Sequence, residues 1–164
     1  MVVLGRGFAL IACFSACGIA FADPAADRAA IEAAAQQWTR AFNTRDVAQM
    51  LASTSEDVVL LDPQRSPVEG HDDARDAWQS ALKGANVRLA NKTREITVTD
   101  DAAWRIATFQ VAADDVTTST SALEVWKRVD GRWKLHRQMS ARLLSRTSLV
   151  RPNPSEPWLD APKN

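Results

Sequence analysis

One acidic side chain stands out as a candidate catalytic base. Asp62 ends the apolar run DVVLLD and is followed directly by Pro63. A carboxylate beside apolar walls has its pKa raised from ~3.9, which makes it a better base near neutral pH. An Asp-Pro pair is also typical of an exposed turn. The sequence therefore leaves two interpretations of Asp62 open, a proton acceptor in a pocket or a turn-forming residue.

The last predicted strand carries two further candidates. His136 shares a strand face with Lys134 and Gln138, and we predict that it contributes a catalytic or binding group to a pocket. Arg137 alternates with apolar residues and could fix an anionic group of a ligand. The alternative for Arg137 is an edge position, where its aliphatic stem covers apolar surface.

Several classes of chemistry have no support in the sequence. The chain has two His, and both of its Cys lie within the first 17 residues, so no familiar zinc-ligand set is present. It contains no glycine-rich phosphate loop, nucleophile elbow or HExxH motif. Twenty basic residues balance twenty acidic ones, which gives no electrostatic reason to expect nucleic acid as a partner. We expect neither a metal nor a cofactor.

The first 22 residues are typical of an export signal. Arg6 precedes an apolar stretch that ends in Ala20-Phe21-Ala22, a small-x-small pattern that signal peptidase accepts. The stretch is shorter than the ~20 residues that span a bilayer, so we expect no stable membrane insertion after cleavage. We predict cleavage before Asp23 and a periplasmic or secreted protein. The alternative is a lipoprotein anchored through Cys13 or Cys17, which both follow lipobox-like residues.

The spacing of apolar residues predicts the elements that position these side chains. Helical periodicity predicts helices over 26–43, from Asp46 onward and over 72–83. Strands are predicted over 57–62, 87–99, 103–113, 116–129 and 132–143, with a bulge between Leu89 and Ile96 and a tight turn at Asp130-Gly131. Helices segregated from a strand meander predict an α+β domain over 23–144, followed by a Pro-rich irregular tail over 145–164.

Four stretches in this order resemble the NTF2-like superfamily, and in particular its SnoaL-like group with the DUF4440 domains and the ketosteroid isomerases. They are IEAAAQQWTRAFNTRD (31–46), SEDVVLLDP (55–63), VEGHDDARDAW (68–78) and EVWKRVDGRWKLHRQMS (124–140). The resemblance implies a curved antiparallel sheet wrapped around the first helix, so that the two form a cone with an open pocket. It also implies a homodimer formed through the outer face of the sheet.

The resemblance carries a possible mechanism to named residues. In ketosteroid isomerases the catalytic base lies in a similar Asp-Pro step, which corresponds to Asp62 here. The tyrosine that donates to the oxyanion corresponds to Trp38, and the chain has no tyrosine. An indole N–H is a weaker acid than a phenol, and loss of such a donor costs roughly 3–4 kcal/mol of transition-state stabilisation. The second oxyanion acid falls near Glu124.

Three functions remain open. The first is an exported cone that binds a small, mostly apolar ligand. The second is an isomerase, cyclase or dehydratase that uses Asp62 as its base. The third is a non-catalytic dimeric interaction module. For the first, Asp62 and His136 are the polar contacts, and the predicted ligand-binding residues are Trp38, Val59, Leu61, Trp78, Phe109, Glu124, Trp126 and Arg137.

Overall fold

The structure is a computed structural model, and it describes residues 23–83, 86–113 and 116–142, excluding the side chain of Arg142. Helix α1 (Pro24–Thr44) begins at the cap residue Asp23, whose carboxylate accepts a hydrogen bond from the Ala25 N–H at 2.9 Å. Proline suits this first position because its missing N–H would have no partner there. The helix ends at Arg45, in the left-handed conformation. The predicted export signal and tail lie outside the described residues.

The remaining elements follow the predicted order closely. Asp46 caps the short helix α2 by accepting from the Gln49 N–H at 2.9 Å. The Asp130-Gly131 turn has positive φ at both residues, as a two-residue hairpin turn requires. The bounds are α2 Val47–Ala52, β1 Thr54–Leu61, β2 Val68–Glu69, α3 Gly70–Leu82, β3 Val87–Thr99, β4 Ala102–Ala113, β5 Val116–Val129 and β6 Arg132–Arg142.

The six strands form one curved sheet in the order β2-β1-β6-β5-β4-β3. Every pair is antiparallel except β1 with β6, which run parallel. The predicted curved antiparallel sheet is therefore confirmed, with a parallel pairing where β1 joins the last strand of the meander. Strand β2 was not predicted, since two residues are too few to show a period.

Two bulges decide which side chains face the inside of the sheet. The register of β3 against β4 shifts between Thr93 and Glu95, which confirms the predicted bulge. A second shift lies in β6, where Trp126 pairs with Leu135 but Val125 pairs with Arg137, so that His136 has no partner. An extra residue reverses the alternation of side chains beyond it. The predicted grouping of residues on the two faces of β6 is therefore wrong after Leu135.

Helix α1 lies in the hollow of the sheet, as predicted. Its buried Ile31 packs in one cluster with Trp126, Trp133 and Leu135. Further along the helix, Trp38 packs against two other clusters, one beneath α3 and one on β3–β5. The helix fills only part of the hollow. Its second half, which carries Trp38 and Phe42, faces the open end of the cone.

The start of α1 is fastened to the β5–β6 hairpin at the closed end of the cone. Asp27 accepts hydrogen bonds from Arg128 Nη2 at 2.6 Å and Trp133 Nε1 at 3.0 Å. These donors hold the pKa of the Asp27 carboxyl below its usual range. The contacts fix the depth of α1 in the sheet, and so the position of Trp38 further along it.

Candidate functional site

The open end of the cone is a cavity of about 220 Å³. Its wall is mainly apolar, and its polar groups come from the end of β1 and from the inner faces of β5 and β6. Trp38 stacks on Phe42 with ring centroids 5.8 Å apart and meets Trp78 edge-on at 5.8 Å. The lining residues are Trp38, Phe42, Asp62, Pro63, Gln64, Leu89, Phe109, Val111, Thr120, Gln138 and Ser140.

Asp62 lies at the rim of this cavity and is exposed. Its carboxylate accepts a hydrogen bond from the Gln64 N–H at 2.9 Å, and its carbonyl accepts one from the Arg65 N–H at 3.1 Å. It therefore forms a turn and lines the cavity at the same time. A side pocket of about 150 Å³ shares Asp62, Gln138 and Ser140 with the main cavity and reaches Trp78.

A much smaller chamber lies at the base of the cone. Its volume is about 10 Å³, close to the minimum that holds one water molecule. Three of its lining residues, Trp38, Phe109 and Gln138, also line the main cavity. The others are Ala35, Arg105, Glu124, Trp126 and Leu135.

A buried ion pair forms one wall of this chamber. Arg105 is fully buried, and its Nη1 donates to Glu124 Oε2 at 3.0 Å. Trp126 Nε1 donates to the same oxygen at 2.9 Å. Burial raises the pKa of the Glu124 carboxyl, while Arg105 and the indole N–H oppose that shift by stabilising the carboxylate. Glu124 is thus placed to accept hydrogen bonds.

The other donors of Arg105 tie the sheet to α1. Its Nε donates to Thr93 Oγ1 at 2.8 Å, and its Nη2 donates to Asn91. Asn91 in turn donates to Thr39 on α1, and Thr93 donates to Glu32. Burying a charge is costly unless hydrogen bonds satisfy it. The buried charge of Arg105 meets this condition, because its guanidinium donates hydrogen bonds to Thr93, Glu124 and Asn91.

His136 lies on the outer face of the sheet. Its Nδ1 is 3.2 Å from Ser55 Oγ and 3.4 Å from Asp57 Oδ1, and Lys127 Nζ binds that same Asp57 oxygen at 2.8 Å. Burial and the nearby cations of Arg137 and Lys127 lower the pKa of His136. The predicted position of His136 in the pocket is wrong, because the bulge places it opposite the cavity.

Three predicted lining residues also point outward. Arg137 Nη1 donates to the Asp57 carbonyl at 2.6 Å, and Arg137 pairs with the outward-facing Val59 and Val125. On β1 the buried Val58 and the inward Leu60 set the alternation, so Val59 and Leu61 face away from the cone. Leu61 reaches only the rim. The predicted cavity positions of Val59 and Arg137 are therefore wrong, whereas Leu61 lines the side pocket but not the main cavity.

The other predicted residues do lie inside the cone or beside it. Trp38 and Phe109 line both the cavity and the chamber, while Glu124 and Trp126 lie at the base. Trp78 is buried in the core behind the rim and borders the side pocket. The structure thus brings Asp62 and Trp38 to one cavity, and it separates both from His136.

Sequence reasoning missed Arg105, the central residue of the site. The sequence did contain a signal for it. Every second residue of β4 faces inward, and these residues are Ala103, Arg105, Ala107 and Phe109. All of them except Arg105 belong to the apolar core. A charged residue at such a position predicts a buried partner of opposite charge. Gln138 and Ser140 were also missed, although Gln138 lies on the strand face that the sequence analysis assigned to His136.

The outer face of the sheet carries a continuous apolar patch. We call Leu61, Trp104, Ile106, Leu123 and Met139 the outer apolar face. Leu61 pairs with Met139, Met139 with Leu123, and Leu123 with Ile106, so the patch crosses four strands. Met139 is 55% exposed, Leu123 46% and Trp104 40%. These large apolar side chains are therefore both adjacent and exposed.

Neither a helix suited to cross a membrane nor a cluster suited to hold a metal occurs among the described residues. Of the helices within residues 23–83, where all three lie, none combines the length and apolarity that a membrane crossing needs. Across the described ranges, no three His, Cys, Asp or Glu side chains converge as a metal site would require.

A family model of the SnoaL-like domain matches residues 35–136 of the chain. No curated protein matches it by sequence. The matched range contains the second half of α1, the buried Arg105–Glu124 pair and the cavity lining except Gln138 and Ser140.

Solved structures share the fold. A ketosteroid isomerase-like protein from Erwinia carotovora atroseptica aligns with a TM-score of 0.62 at 22% identity, over 71% of this chain and 96% of its own. An NTF2-like protein of unknown function from Pseudomonas putida gives 0.64 at 15% identity, over 77% and 93%. A protein from Streptomyces avermitilis, whose name proposes a dehydratase of the NTF2-like family, gives 0.67 at 16% identity, over 74% and 100%. At these identities the likeness establishes the cone fold.

Proposed function

Because the chain belongs to the SnoaL-like domain family, we propose that its cone binds a small, mostly apolar molecule. The observation that carries this proposal is the open cavity of about 220 Å³ between α1 and the sheet. Aromatic and aliphatic side chains form most of its wall, and a few polar groups converge on it from the rim and the base. This combination is the usual form of a small-molecule site.

The volume limits the size of the ligand. Sites for drug-sized molecules measure roughly 300–1,000 Å³, and the main cavity is smaller than this range. The stacked Trp38 and Phe42 present flat apolar surface to the ligand. These features favour a compact molecule built on about one ring, with room to extend toward the side pocket beside Trp78.

Tryptophan fluorescence tests the proposal directly. Trp38 lies in the cavity wall, so we expect p-cresol and similar one-ring compounds to change the emission in a saturable way. The variant Trp38→Phe removes the reporter and should lose most of that change, whereas Trp104→Phe, on the outer face, should keep it. A response that persists in Trp38→Phe and disappears in Trp104→Phe would place binding on the outer face and refute the proposal.

Proton abstraction by Asp62 is the second candidate function. The observation that favours it is that Asp62 lines the same cavity as Trp38, whose indole N–H could donate to a substrate oxygen. The test substrate is a small β,γ-unsaturated ketone, whose conversion to the conjugated isomer is followed by absorbance. Asp62→Asn should abolish any conversion, and the exposed Asp72→Asn should not. Equal rates in both variants would exclude Asp62 as the base.

We also propose a homodimer in which two copies bury the outer apolar face against each other. Support comes from the patch itself, which is continuous across four strands and carries Leu123 near its centre. We predict that Leu123→Lys converts the dimer to a monomer, because it places a strongly hydrated charge in the interface core. Light scattering after size exclusion measures the mass. Ser119→Lys, on the same strand and face but beyond the patch, should remain a dimer, and a monomeric wild type would refute the proposal.

Export is a further proposal, supported by the signal-like first 22 residues and by α1, which starts at the predicted cleavage site. We predict a mature chain that begins at Asp23 in the periplasm or medium of an expressing bacterium. Intact mass spectrometry distinguishes this product from a lipoprotein, which would begin at Cys13 or Cys17, carry acyl chains and fractionate with membranes. An unprocessed chain in the cytoplasm would contradict both.

A further inference from the structure

The base of the cone contains a buried hydrogen-bond donor without a partner. Trp38 Nε1 is sealed from solvent and bonds to no acceptor in the described part of the chain. An unsatisfied buried N–H costs about 1–3 kcal/mol, and such groups are rare in folded proteins. Trp38 lines both the main cavity and the base chamber. The unpaired N–H of Trp38 therefore indicates that a hydrogen-bond acceptor enters the cone.

The same chamber contains a buried acceptor. Glu124 is only 3% exposed and lines the chamber, and both of its donors, Arg105 and Trp126, bind its Oε2 atom. Among the described contacts, Oε1 accepts no hydrogen bond, so it can accept one from a molecule in the chamber. A carboxylate oxygen that is held by a guanidinium accepts hydrogen bonds and does not donate them.

Building on the proposed function, we propose that the base chamber is a hydroxyl-binding subsite, in which one oxygen atom accepts from Trp38 Nε1–H and donates its own hydrogen to Glu124. The volume of about 10 Å³ suits a single oxygen. In the free protein a water molecule fills this place. A ligand that carries a hydroxyl group at the end of an apolar body displaces the water and reproduces both of its hydrogen bonds.

The donor of Trp38 and the acceptor of Glu124 together select against ligands that carry another group in place of the hydroxyl. A carbonyl or ether oxygen could accept from Trp38 but has no hydrogen to donate to Glu124. A carboxylate would bring a second negative charge to a buried anion. A methyl group would leave both polar walls unpaired, which is the costliest mismatch for a site built around hydrogen bonds. The structure therefore assigns the ligand class as small alcohols or phenols.

Calorimetry with three matched probes tests this assignment. The probes are p-cresol, p-xylene and 4-methylbenzaldehyde, which share a ring and differ in one substituent. Two hydrogen bonds of ordinary strength correspond to about a tenfold preference, so we expect p-cresol to bind about 10-fold more tightly than p-xylene, which makes neither bond, and about threefold more tightly than 4-methylbenzaldehyde, whose carbonyl keeps the bond from Trp38. Equal affinity for p-cresol and p-xylene would overturn the hydroxyl subsite while leaving the apolar cavity established. Absence of binding by all three would overturn both.

Two indole variants separate the hydrogen bond from the ring. Trp38→Phe keeps an aromatic wall but removes the donor, and we expect it to lower the preference for p-cresol over p-xylene about threefold or more. Trp104→Phe makes the same change on the outer face of the sheet, where the side chain lines neither the cavity nor the chamber, and should leave the preference unchanged. If Trp38→Phe retained the full preference, the N–H would not be a ligand contact, and the subsite would be refuted.

An independent measurement uses the free protein. In a high-resolution crystal structure, the inference predicts an ordered water within hydrogen-bond distance of both Trp38 Nε1 and a carboxylate oxygen of Glu124. A chamber collapsed onto its side chains, with Trp38 Nε1 bonded to a protein atom, would contradict it.

Discussion

Replacing Arg105 with methionine lowers the free energy of unfolding by about 3–5 kcal/mol, the largest stability loss that we expect from a single change in the site. Removing one partner of a buried ion pair leaves the other charge without compensation. Here the uncompensated group is Glu124, which is 3% exposed. Asn91 and Thr93 also lose their contacts to the guanidinium. Urea unfolding at pH 7 measures the loss.

Two controls identify the charge as the cause. In the double variant Arg105→Met, Glu124→Met both charges are absent, and we expect most of the stability to return, because apolar replacements of buried pairs are often neutral. The loss in the single variant should also depend on pH. Without Arg105, burial raises the pKa of Glu124 in the folded state further above its usual range, so the unfolded state ionises first. The penalty is therefore absent below the usual carboxyl range and grows as the pH rises above it.

A loss below 1 kcal/mol in the single variant, with no dependence on pH, would show that Glu124 is not the buried anion described above. A double variant less stable than the single one would show that packing, rather than charge, explains the effect.

Filling the cavity should abolish binding. Thr120 lies on the inner face of β5 and lines the main cavity, and we expect Thr120→Trp to weaken p-cresol binding at least about 100-fold, because an indole occupies the space that the ligand needs. Isothermal calorimetry is the appropriate measurement, since the new tryptophan complicates fluorescence. Unfolding curves of the same variant verify that it folds.

A matched variant makes this result specific. Ser119 is the preceding residue on β5 and points to the outer face, so Ser119→Trp adds the same indole outside the cone. We expect its affinity for p-cresol to stay within about threefold of wild type. Equal losses in the two variants would indicate a general effect on the sheet, and unchanged binding in Thr120→Trp would remove the cavity as the site.

The sequence predicts those parts of the fold that depend on residues close to one another along the chain. The Asp23 and Asp46 caps, the turn at Asp130-Gly131 and the bulge near Thr93 all follow from residue type and apolar spacing. The parallel pairing of β1 with β6 could not be predicted in this way, because it joins segments about 80 residues apart and leaves no local signal.

The candidate site was less predictable because it depends on the face that each residue occupies. One extra residue at His136 breaks the alternation of β6, so that His136 no longer shares a face with Gln138, and Gln138 lines the cavity while His136 and Arg137 lie outside it. The position of Asp62 was easier to predict, since it ends a strand whose direction the core fixes. Arg105 was missed because a charge inside an apolar strand is predictable only together with its partner on the next strand.

The central claim is that the cone holds the ligand between α1 and the inner face of the sheet. An amide and indole NMR titration with p-cresol tests this most directly. We predict that the indole N–H of Trp38 and the amides of Phe109, Thr120 and Gln138 shift together with one affinity, while those of Trp104 and Leu123 do not move. Shifts confined to the outer apolar face, or no shifts at millimolar p-cresol, would contradict the claim.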